Sequence, residues 1–339
     1  MKERRIWIDW MKVVGMLFIV WGHFTPNIMH NFIYAFNVPL FFCISGALTN
    51  APIGGGKLRQ SLLLPYITMA IILIPYNYIG SIVSMHLNWR DIGYTILAFI
   101  TGEQRAVISS NPQVIYAPGC GTLWFVYALA IVKVLFRTTN KCILYVTLPL
   151  SLITAYIIPS FKPIGDYAVF TIPLAWFFFV VGYLIMHSSY FKSFHDGFKN
   201  KIDMNSLFAY IIPILVLLFS LIYFIAETNG QFRFFKADWG TSFLLMLIGS
   251  FIGITMIYII SVILEVIMPK NKYLTVISNG TIIILAFHTQ IIYILYRTFF
   301  YGRNDIITLF FSILIIITFI PVIQFFIKYI PTMVGGRKL

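Results

Sequence analysis

The sequence predicts an all-α membrane protein, a polytopic bundle of about ten transmembrane helices with both termini in the cytoplasm. Of its 339 residues, 60% are hydrophobic and 10% are charged, and the mean hydropathy is +0.88. Soluble proteins are about 45–50% apolar and about 25% charged. The apolar residues also gather in long stretches with basic residues between them. Together these observations exclude a soluble enzyme, a disordered chain and a secreted disulfide scaffold.

Ten stretches are apolar enough to cross a membrane. A hydrocarbon core about 30 Å thick needs about 20 apolar residues per helix, and fewer where flanking side chains snorkel. The second, fourth and fifth stretches are short and could instead be partly re-entrant. Because there is no internal repeat or appended soluble segment, we expect one integral-membrane domain over 1–339. Its predicted spans are 6–24, 32–48, 62–82, 122–136, 143–158, 168–186, 207–225, 241–267, 275–296 and 306–327.

The basic residues indicate the orientation of the bundle. A net charge of +13 could suggest nucleic acid binding, but the basic residues lie singly and in pairs between apolar runs. Sorted by predicted loop, 16 of the 24 lie on the inner side, 7 lie on the outer side, and Lys12 lies within a span. An excess of basic residues on one side of the membrane is typical of cytoplasmic loops. We therefore expect the lipid bilayer, and no nucleic acid, as a partner.

Cysteine usage and the amino terminus exclude two further classes. Cys43, Cys120 and Cys142 are far apart and only Cys120 is predicted outside, so no external bridge, redox motif or metal site is expected. The basic amino terminus resembles a signal peptide, but Asp9 and Lys12 interrupt its apolar run. We interpret it as a retained first helix.

Ionisable residues within the spans are the main functional signal, because they are costly in a membrane. On an ideal helix Lys12 and His23 differ by about 20° in azimuth and stand roughly 16 Å apart. Asp9 lies three residues before Lys12, close enough for an ion pair, and within about 40° of the azimuth of His23. One polar stripe therefore follows the first helix. An alternative is that Asp9 and Lys12 snorkel to the inner interface while His23 lies among headgroups.

Five motifs resemble the membrane-bound acyltransferase-3 family, in the order of that family. The first is IDWMKVVGMLFIVWGH from Ile8 to His23, where a basic residue, Lys12, precedes histidine by eleven positions. The others are FNVPLFFCISG (36–46), Lys57-Leu58-Arg59 followed by LLLPY (62–66), Leu123-Trp124-Phe125, and the helix from Gly280 to His288. The resemblance spans the chain and is strongest over 6–66.

The resemblance implies an O-acyltransferase in the cytoplasmic membrane of a bacterium. Such an enzyme would move an acetyl or other short acyl group from cytosolic acetyl-CoA or another acyl-CoA, a co-substrate, to a hydroxyl of a cell-surface or lipid-linked glycan. No metal is implied. The chain departs from the family pattern at Lys12, where arginine is commoner, and at Asn37, where histidine is common. Lysine keeps the charge but loses the planar fork of arginine. We assign Asn37 no catalytic role and interpret it as an amide bonded between helices.

The candidate residues fit this chemistry. A neutral imidazole can remove the proton of a sugar hydroxyl, a contribution of about 10²- to 10⁴-fold, and His23 is the candidate base. Cations at the inner end would bind the phosphates of coenzyme A and the developing oxyanion, with Lys12 catalytic as well as cofactor-binding and with Lys57 and Arg59 beside it. Direct transfer in a central cavity is favoured over an acyl-enzyme relay, for which Ser45 and Cys43 are available.

Three other residues, His288, Trp124 and Asp9, are predicted to bind substrate. His288 is predicted at a height compatible with His23, although a histidine bonded between helices is an equal alternative. Trp124 could stack on a sugar ring or anchor the interface, and Asp9 belongs to the stripe. Glu265, near the inner end of the eighth span, is expected to pair with inner-loop bases. The long external segment 83–121 is expected to be partly structured, with a short apolar piece at 92–100.

Two rival functions remain open from the sequence. The first is a transporter or flippase of a lipid-linked sugar, which the intramembrane prolines could permit. Such carriers usually place carboxylates near the midplane and show inverted repeats, and this chain shows neither. The second is a non-catalytic scaffold or sensor, which would not explain the costly stripe.

Overall fold

The computed structural model describes residues 4–24, 29–50, 54–79, 83, 88–109, 115–161, 167–269, 271–299 and 305–335. Within these ranges the chain is a bundle of helices, as the sequence predicts, with one antiparallel hairpin of β1 (Arg105–Ser109) and β2 (Ile115–Pro118). The helices are α1 (Ile6–Gly22), α2 (His30–Tyr34), α3 (Asn37–Ala47), α4 (Gly55–Asn77), α5 (Trp89–Thr101), α6 (Gly121–Thr138), α7 (Lys141–Ile157), α8 (Ala168–Met186), α9 (Ser189–Asn200), α10 (Met204–Asn229), α11 (Phe243–Ile267), α12 (Lys272–Asn279), α13 (Thr281–Phe299) and α14 (Asp305–Tyr329).

Among the described residues, seven helices are long and apolar enough to cross a membrane: α4, α6, α7 with its extension to Ser160, α8, α10, α11 and α14. The bent pair α12 and α13 would make an eighth. The chain is therefore a multi-pass membrane protein. The first predicted span corresponds to α1, which has 17 residues, and the second is divided between α2 and α3. The count of ten and the cytoplasmic termini stay predictions.

The division between α2 and α3 has a local cause. Pro39 has no backbone N–H, so it cannot donate to the carbonyl of Ala35, which is its partner in a continuous helix. Ser250 on α11 replaces that bond, because its Oγ donates to the Ala35 oxygen at 2.7 Å. Phe36 then packs fully buried against Gly253, where a Cβ would lie 2.3 Å from the Phe36 Cβ. The break is thus built into the packing against α11.

Helices α3 and α8 pack with their backbones in contact. A Cβ added to Gly46 would lie 1.8 Å from the carbonyl oxygen of Phe179, and one added to Gly182 would lie 2.0 Å from that of Cys43. Small residues allow such close approach between helices in membranes, where van der Waals packing drives association. This contact fixes α3 in the centre of the bundle.

A bend separates α12 from α13. The two helix axes differ by 77°, and Gly280 occupies the turn between them. A side chain there would meet Ile323 of α14, since an added Cβ would lie 2.4 Å from its Cγ1 atom. The bend directs α12 and α13 toward different ends of α1.

The segment predicted as a long, partly structured external loop contains regular secondary structure in its described residues. It contains α5, which covers the apolar piece predicted at 92–100, and the hairpin. The hydroxyl of Tyr66 on α4 donates to the Phe99 carbonyl at 2.6 Å, and the hydroxyls of Tyr78 and Thr95 share a hydrogen bond of 2.6 Å. Tyr66 on α4 and Tyr78, the residue that follows α4, therefore hold α5 in place.

Candidate functional site

A cavity of about 590 Å³ passes along one side of α1. Its wall includes Lys12, Lys57 and Lys133, which we call the basic end. The same wall includes His23, Gln104 and Trp124, which we call the histidine end. The stripe from Lys12 to His23 therefore faces a cleft inside the bundle, and the cleft is continuous between them.

Two histidines meet at the histidine end. His23 follows α1 directly, and His288 lies on α13 with no solvent exposure. Nε2 of His288 lies 3.3 Å from Nδ1 of His23, and the rings meet edge to face with centroids 4.7 Å apart. The structure thus brings together two residues that are 265 positions apart in the chain.

Backbone carbonyls determine which nitrogen of each histidine ring carries the hydrogen. Nδ1 of His23 lies 2.7 Å from the oxygen of Ile19, and Nδ1 of His288 lies 2.8 Å from that of Ile284. Because a carbonyl only accepts, each Nδ1 carries the proton of the neutral ring and each Nε2 has a lone pair. The one hydrogen on Nδ1 of His23 is therefore shared between the Ile19 oxygen at 2.7 Å and Nε2 of His288 at 3.3 Å, and both accept it. The remaining nitrogen of His23, Nε2, is the one suited to act as a base.

An ion network holds the other end of the stripe. Asp9 is buried and accepts hydrogen bonds from Arg4 and, at 2.5 Å, from Ser278 on α12. Nζ of Lys12 lies 3.5 Å from Oγ of Ser278 and 4.0 Å from the Asp9 carboxylate. Asp9 itself is not among the described residues that line the cavity. Its contacts support Lys12, and its predicted role in substrate binding stays a prediction.

Two residues on α4 were predicted to bind coenzyme A, and only one of them lines the cavity. Lys57 lines the cavity, whereas Arg59 is exposed and outside the described lining. Residues two apart on a helix do not share a face, and a π-helical turn begins at Arg59. The spacing of the two residues could have indicated this separation. Lys133 on α6, which the sequence analysis did not single out, takes part in the basic end.

Aromatic rings form the wall near His23. Trp124 is 5% exposed, so it lies inside the bundle rather than at a lipid-facing interface. Phe234 stacks against it with centroids 6.0 Å apart, and both line the cavity with Phe235. The loop that contains Phe234 is anchored by Asn229, whose Nδ2 donates to the Trp239 carbonyl at 2.8 Å. The interfacial-anchor interpretation of Trp124 therefore does not fit its position.

Asn37 also lines the cavity, and its environment differs from the predicted one. Its side chain is buried at 2% exposure, and its Oδ1 has no hydrogen-bond partner within the described part of the chain. The expected bond between helices to this oxygen is therefore not found. This difference could not be predicted, because a buried amide is usually paired.

Two residues near His23 were missed. Tyr34 lines the cavity, with its ring 6.1 Å from that of His23. His30 stacks on Tyr34 at 4.2 Å, donates from Nδ1 to the Gly22 carbonyl at 3.2 Å, and accepts at Nε2 from Gln231. Both residues lie on α2, whereas the predicted second span, 32–48, left His30 outside it and Tyr34 near its start.

Glu265 has a structural partner in an ion pair. Lys199 on α9 pairs with Glu265 at 3.1 Å, as expected for an acid near inner-loop bases. Within the described ranges, no group of three His, Cys, Asp or Glu side chains could hold a metal ion.

Comparison with known families agrees with the motifs. The model of the acyltransferase domain of the acyltransferase-3 family matches residues 5–326, nearly the whole chain. No curated protein and no solved structure matches the chain. The family match confirms the resemblance seen in the sequence, and the helices described above agree with an integral-membrane enzyme. The chain belongs to the acyltransferase-3 family and is a membrane acyltransferase.

Proposed function

We propose that this acyltransferase moves an acetyl or other short acyl group from cytosolic acyl-CoA to a hydroxyl of a cell-surface or lipid-linked glycan, in the cytoplasmic membrane of a bacterium. One observation carries the proposal. A single cavity joins the three lysines of the basic end to His23. In this proposal donor and acceptor occupy opposite ends of one cavity and meet inside the protein.

The basic end suits an acyl-CoA. Coenzyme A presents a pyrophosphate and a phosphate, and Lys57 and Lys133 supply positive charge on the cavity wall. Lys12 lies deeper, held by Ser278 and Asp9. Under the predicted topology the basic end faces the cytosol, where acyl-CoA is found. The acyl arm would then extend along α1 toward His23, over roughly 16 Å.

The histidine end suits an alcohol. Its wall combines aromatic rings with polar side chains, as sugar sites do, because ring faces stack on the apolar faces of sugars while polar groups bind hydroxyls. Trp124 and Phe234 supply the rings, and Tyr34, Gln104 and Thr122 supply polar atoms. The cavity volume of about 590 Å³ lies within the range of about 300–1,000 Å³ for small-molecule sites.

The step follows from these placements. The acceptor oxygen forms a bond to the thioester carbonyl carbon while its proton passes to Nε2 of His23. The carbonyl π electrons move to oxygen and then return as the carbon–sulfur bond breaks. The coenzyme A thiolate takes the proton from Nε2, so an ester and a thiol result. His288 accepts from Nδ1–H of His23 and so stabilises the imidazolium that forms between the two proton transfers.

The test uses the full chain in proteoliposomes with radiolabelled acetyl-CoA and a glycan acceptor. We expect label in the acceptor and stoichiometric release of thiol, both lost in His23→Ala. His187→Ala is a matched control, because Nδ1 of His187 also bonds the carbonyl four residues earlier, at 2.8 Å, but His187 is outside the described cavity lining. Movement of labelled sugar without thiol release would instead support a transporter and overturn the proposal.

A further inference from the structure

The amide of Asn37 is an unusual feature of the cavity. It is 2% exposed, it lines the cavity, and its Oδ1 lacks a hydrogen-bond partner in the part of the chain that the structure describes. Buried polar groups are nearly always paired, because an unpaired one loses its water without replacement. A buried amide on a cavity wall, with an oxygen that has no partner in the described part of the protein, is suited to pair with a bound molecule.

The position of Asn37 along the cavity follows from the packing of α1 against α2 and α3. Gly15 of α1 faces Leu40, and Gly22 faces Tyr34. Because the two segments run in opposite directions, Asn37 is level with Ile19. It therefore stands about four residues, or about 6 Å, from His23 toward the basic end. This is where the acyl carbonyl of a donor held at the basic end would lie when an alcohol is bound at His23.

The start of α3 adds positive potential at the same place. Helix α3 has 11 residues, begins at Asn37, and has no side-chain cap. The first N–H groups of a helix have no partner within it, and the helix dipole places partial positive charge there. Val38, the next residue, also lines the cavity. The site thus combines an amide with the positive end of a buried helix.

We propose that Asn37 forms the oxyanion site of the transfer reaction, with its amide Nδ2–H donating to the carbonyl oxygen of the acyl group. This inference rests on the proposed function. As the acceptor oxygen bonds to the carbonyl carbon and its proton passes to His23, the π electron pair moves to that oxygen, and the amide stabilises the resulting charge. When the carbonyl reforms and the sulfur leaves, the charge returns to the thiol, which takes the proton from His23. Rotation of the amide by 180° exchanges the positions of Nδ2 and Oδ1, and this rotation breaks no hydrogen bond of Oδ1, because Oδ1 has no partner in the described part of the chain.

The first test compares Asn37→Leu, which removes the donor at similar volume, with Asn37→His, which keeps an N–H donor. Donors to an oxyanion act mainly in the transition state, so kcat should fall by about 10²–10³-fold in Asn37→Leu. The KM for acyl-CoA should stay within about twofold of the wild type. Asn37→His should recover at least tenfold of the lost kcat. Asn205→Leu, at an exposed asparagine of α10, is the control for loss of an amide elsewhere.

The second test is independent of turnover. A trifluoromethyl ketone attached to coenzyme A forms a tetrahedral hydrate that resembles the intermediate, whereas the corresponding methyl ketone resembles the ground state. Asn37→Leu should weaken binding of the trifluoromethyl ketone by at least 30-fold and leave the methyl ketone unchanged. Thermal unfolding should show that Asn37→Leu is at least as stable as the wild type, because an unpaired buried amide has been removed.

The outcomes separate the two proposals. A wild-type protein that consumes no acyl-CoA overturns the proposed function and this inference with it. An active wild type with an undiminished kcat in Asn37→Leu, or a loss confined to KM, overturns the oxyanion role alone. A loss of kcat that Asn37→His does not recover, with both ketones weakened equally, shows a structural role and also overturns it.

Discussion

Nε2 of His288 accepts a hydrogen bond from Nδ1 of His23 across 3.3 Å. The acceptor ring is itself oriented by two carbonyls of its own helix, those of Ile284 and Leu285. The proposed base, His23, is thus oriented by His288, and His288 is oriented by the carbonyls of its own helix. Such an arrangement holds one tautomer of the base before the substrate arrives.

The first prediction concerns this pair. His288→Phe keeps the ring but removes the lone pair that faces His23, so the His23 ring loses its orientation. Misplacement of a reacting group by about 1 Å can cost about 10²-fold in rate, and we expect kcat to fall by about that factor with little change in the KM for acyl-CoA. Steady-state kinetics in proteoliposomes measure both. An unchanged kcat would show that Ile19 alone orients His23.

The second prediction concerns the phosphates of the donor. Lys57→Ala and Lys133→Ala should each raise the KM for acetyl-CoA by about 10-fold or more, since a hydrogen bond to a charged group contributes about 1.5–3 kcal/mol. With S-acetyl-pantetheine, which has no phosphate, the same variants should match the wild type. Lys192→Ala, at an exposed lysine of α9, is the control. Equal losses with both donors would contradict phosphate binding at these lysines.

The third prediction concerns the contact between α3 and α8. Gly46→Ala places a methyl group where the Phe179 carbonyl lies, so the helices must separate. Overpacking of this kind costs about 1–3 kcal/mol or more, and the melting temperature in detergent should fall by several degrees. Gly56→Ala is the matched control, because nothing lies within 4 Å of its added Cβ and alanine favours a helix. It should melt at or above the wild-type temperature.

The fourth prediction concerns His195 on α9, whose Nδ1 lies 2.9 Å from the hydroxyl of Tyr258. Burial lowers the pKa of His195 below its usual value, and the nearby Glu265 and Asp196 carboxylates oppose this shift in part. The unfolded chain, with a pKa near about 6.5, therefore binds more protons than the folded one. The free energy of unfolding should consequently fall as the pH drops through about 6.5.

Thermal unfolding at pH 7.5 and 5.5 tests this sign. The decrease in melting temperature between the two pH values should be smaller in His195→Gln than in the wild type. Equal decreases would show that His195 does not contribute to the pH dependence of stability.

The polar stripe could be predicted because intramembrane charges are rare and helical periodicity is regular. Eleven residues bring Lys12 and His23 to nearly the same azimuth, and both line one cavity. The position of His288 across the membrane could also be predicted, because counting residues along its helix places it in the outer half of the membrane. The contact of His288 with His23 could not be predicted, because the bend at Gly280 determines how α13 approaches α1.

Other parts of the site depend on tertiary contacts that leave no local signal. The sequence over 32–48 is apolar enough to suggest one span. Pro39 removes one helical hydrogen bond, and the bond from Ser250 to Ala35 and the packing of Phe36 against Gly253 stabilise the break. Asn37 becomes the first residue of α3 through that break. Asp9 has the azimuth of a cavity residue, but Arg4 and Ser278 bind its carboxylate.

The bend at Gly280 also determines which parts of α1 the helices α12 and α13 contact. Helix α12 holds the Lys12 end of α1 through Ser278, and α13 holds the other end through His288. One pair of helices thus contacts both ends of the stripe. If the proposed donor binds there, selection among donors depends on the length of the arm: an arm too short to bring its carbonyl level with Asn37 leaves the acyl carbon short of the attacking oxygen.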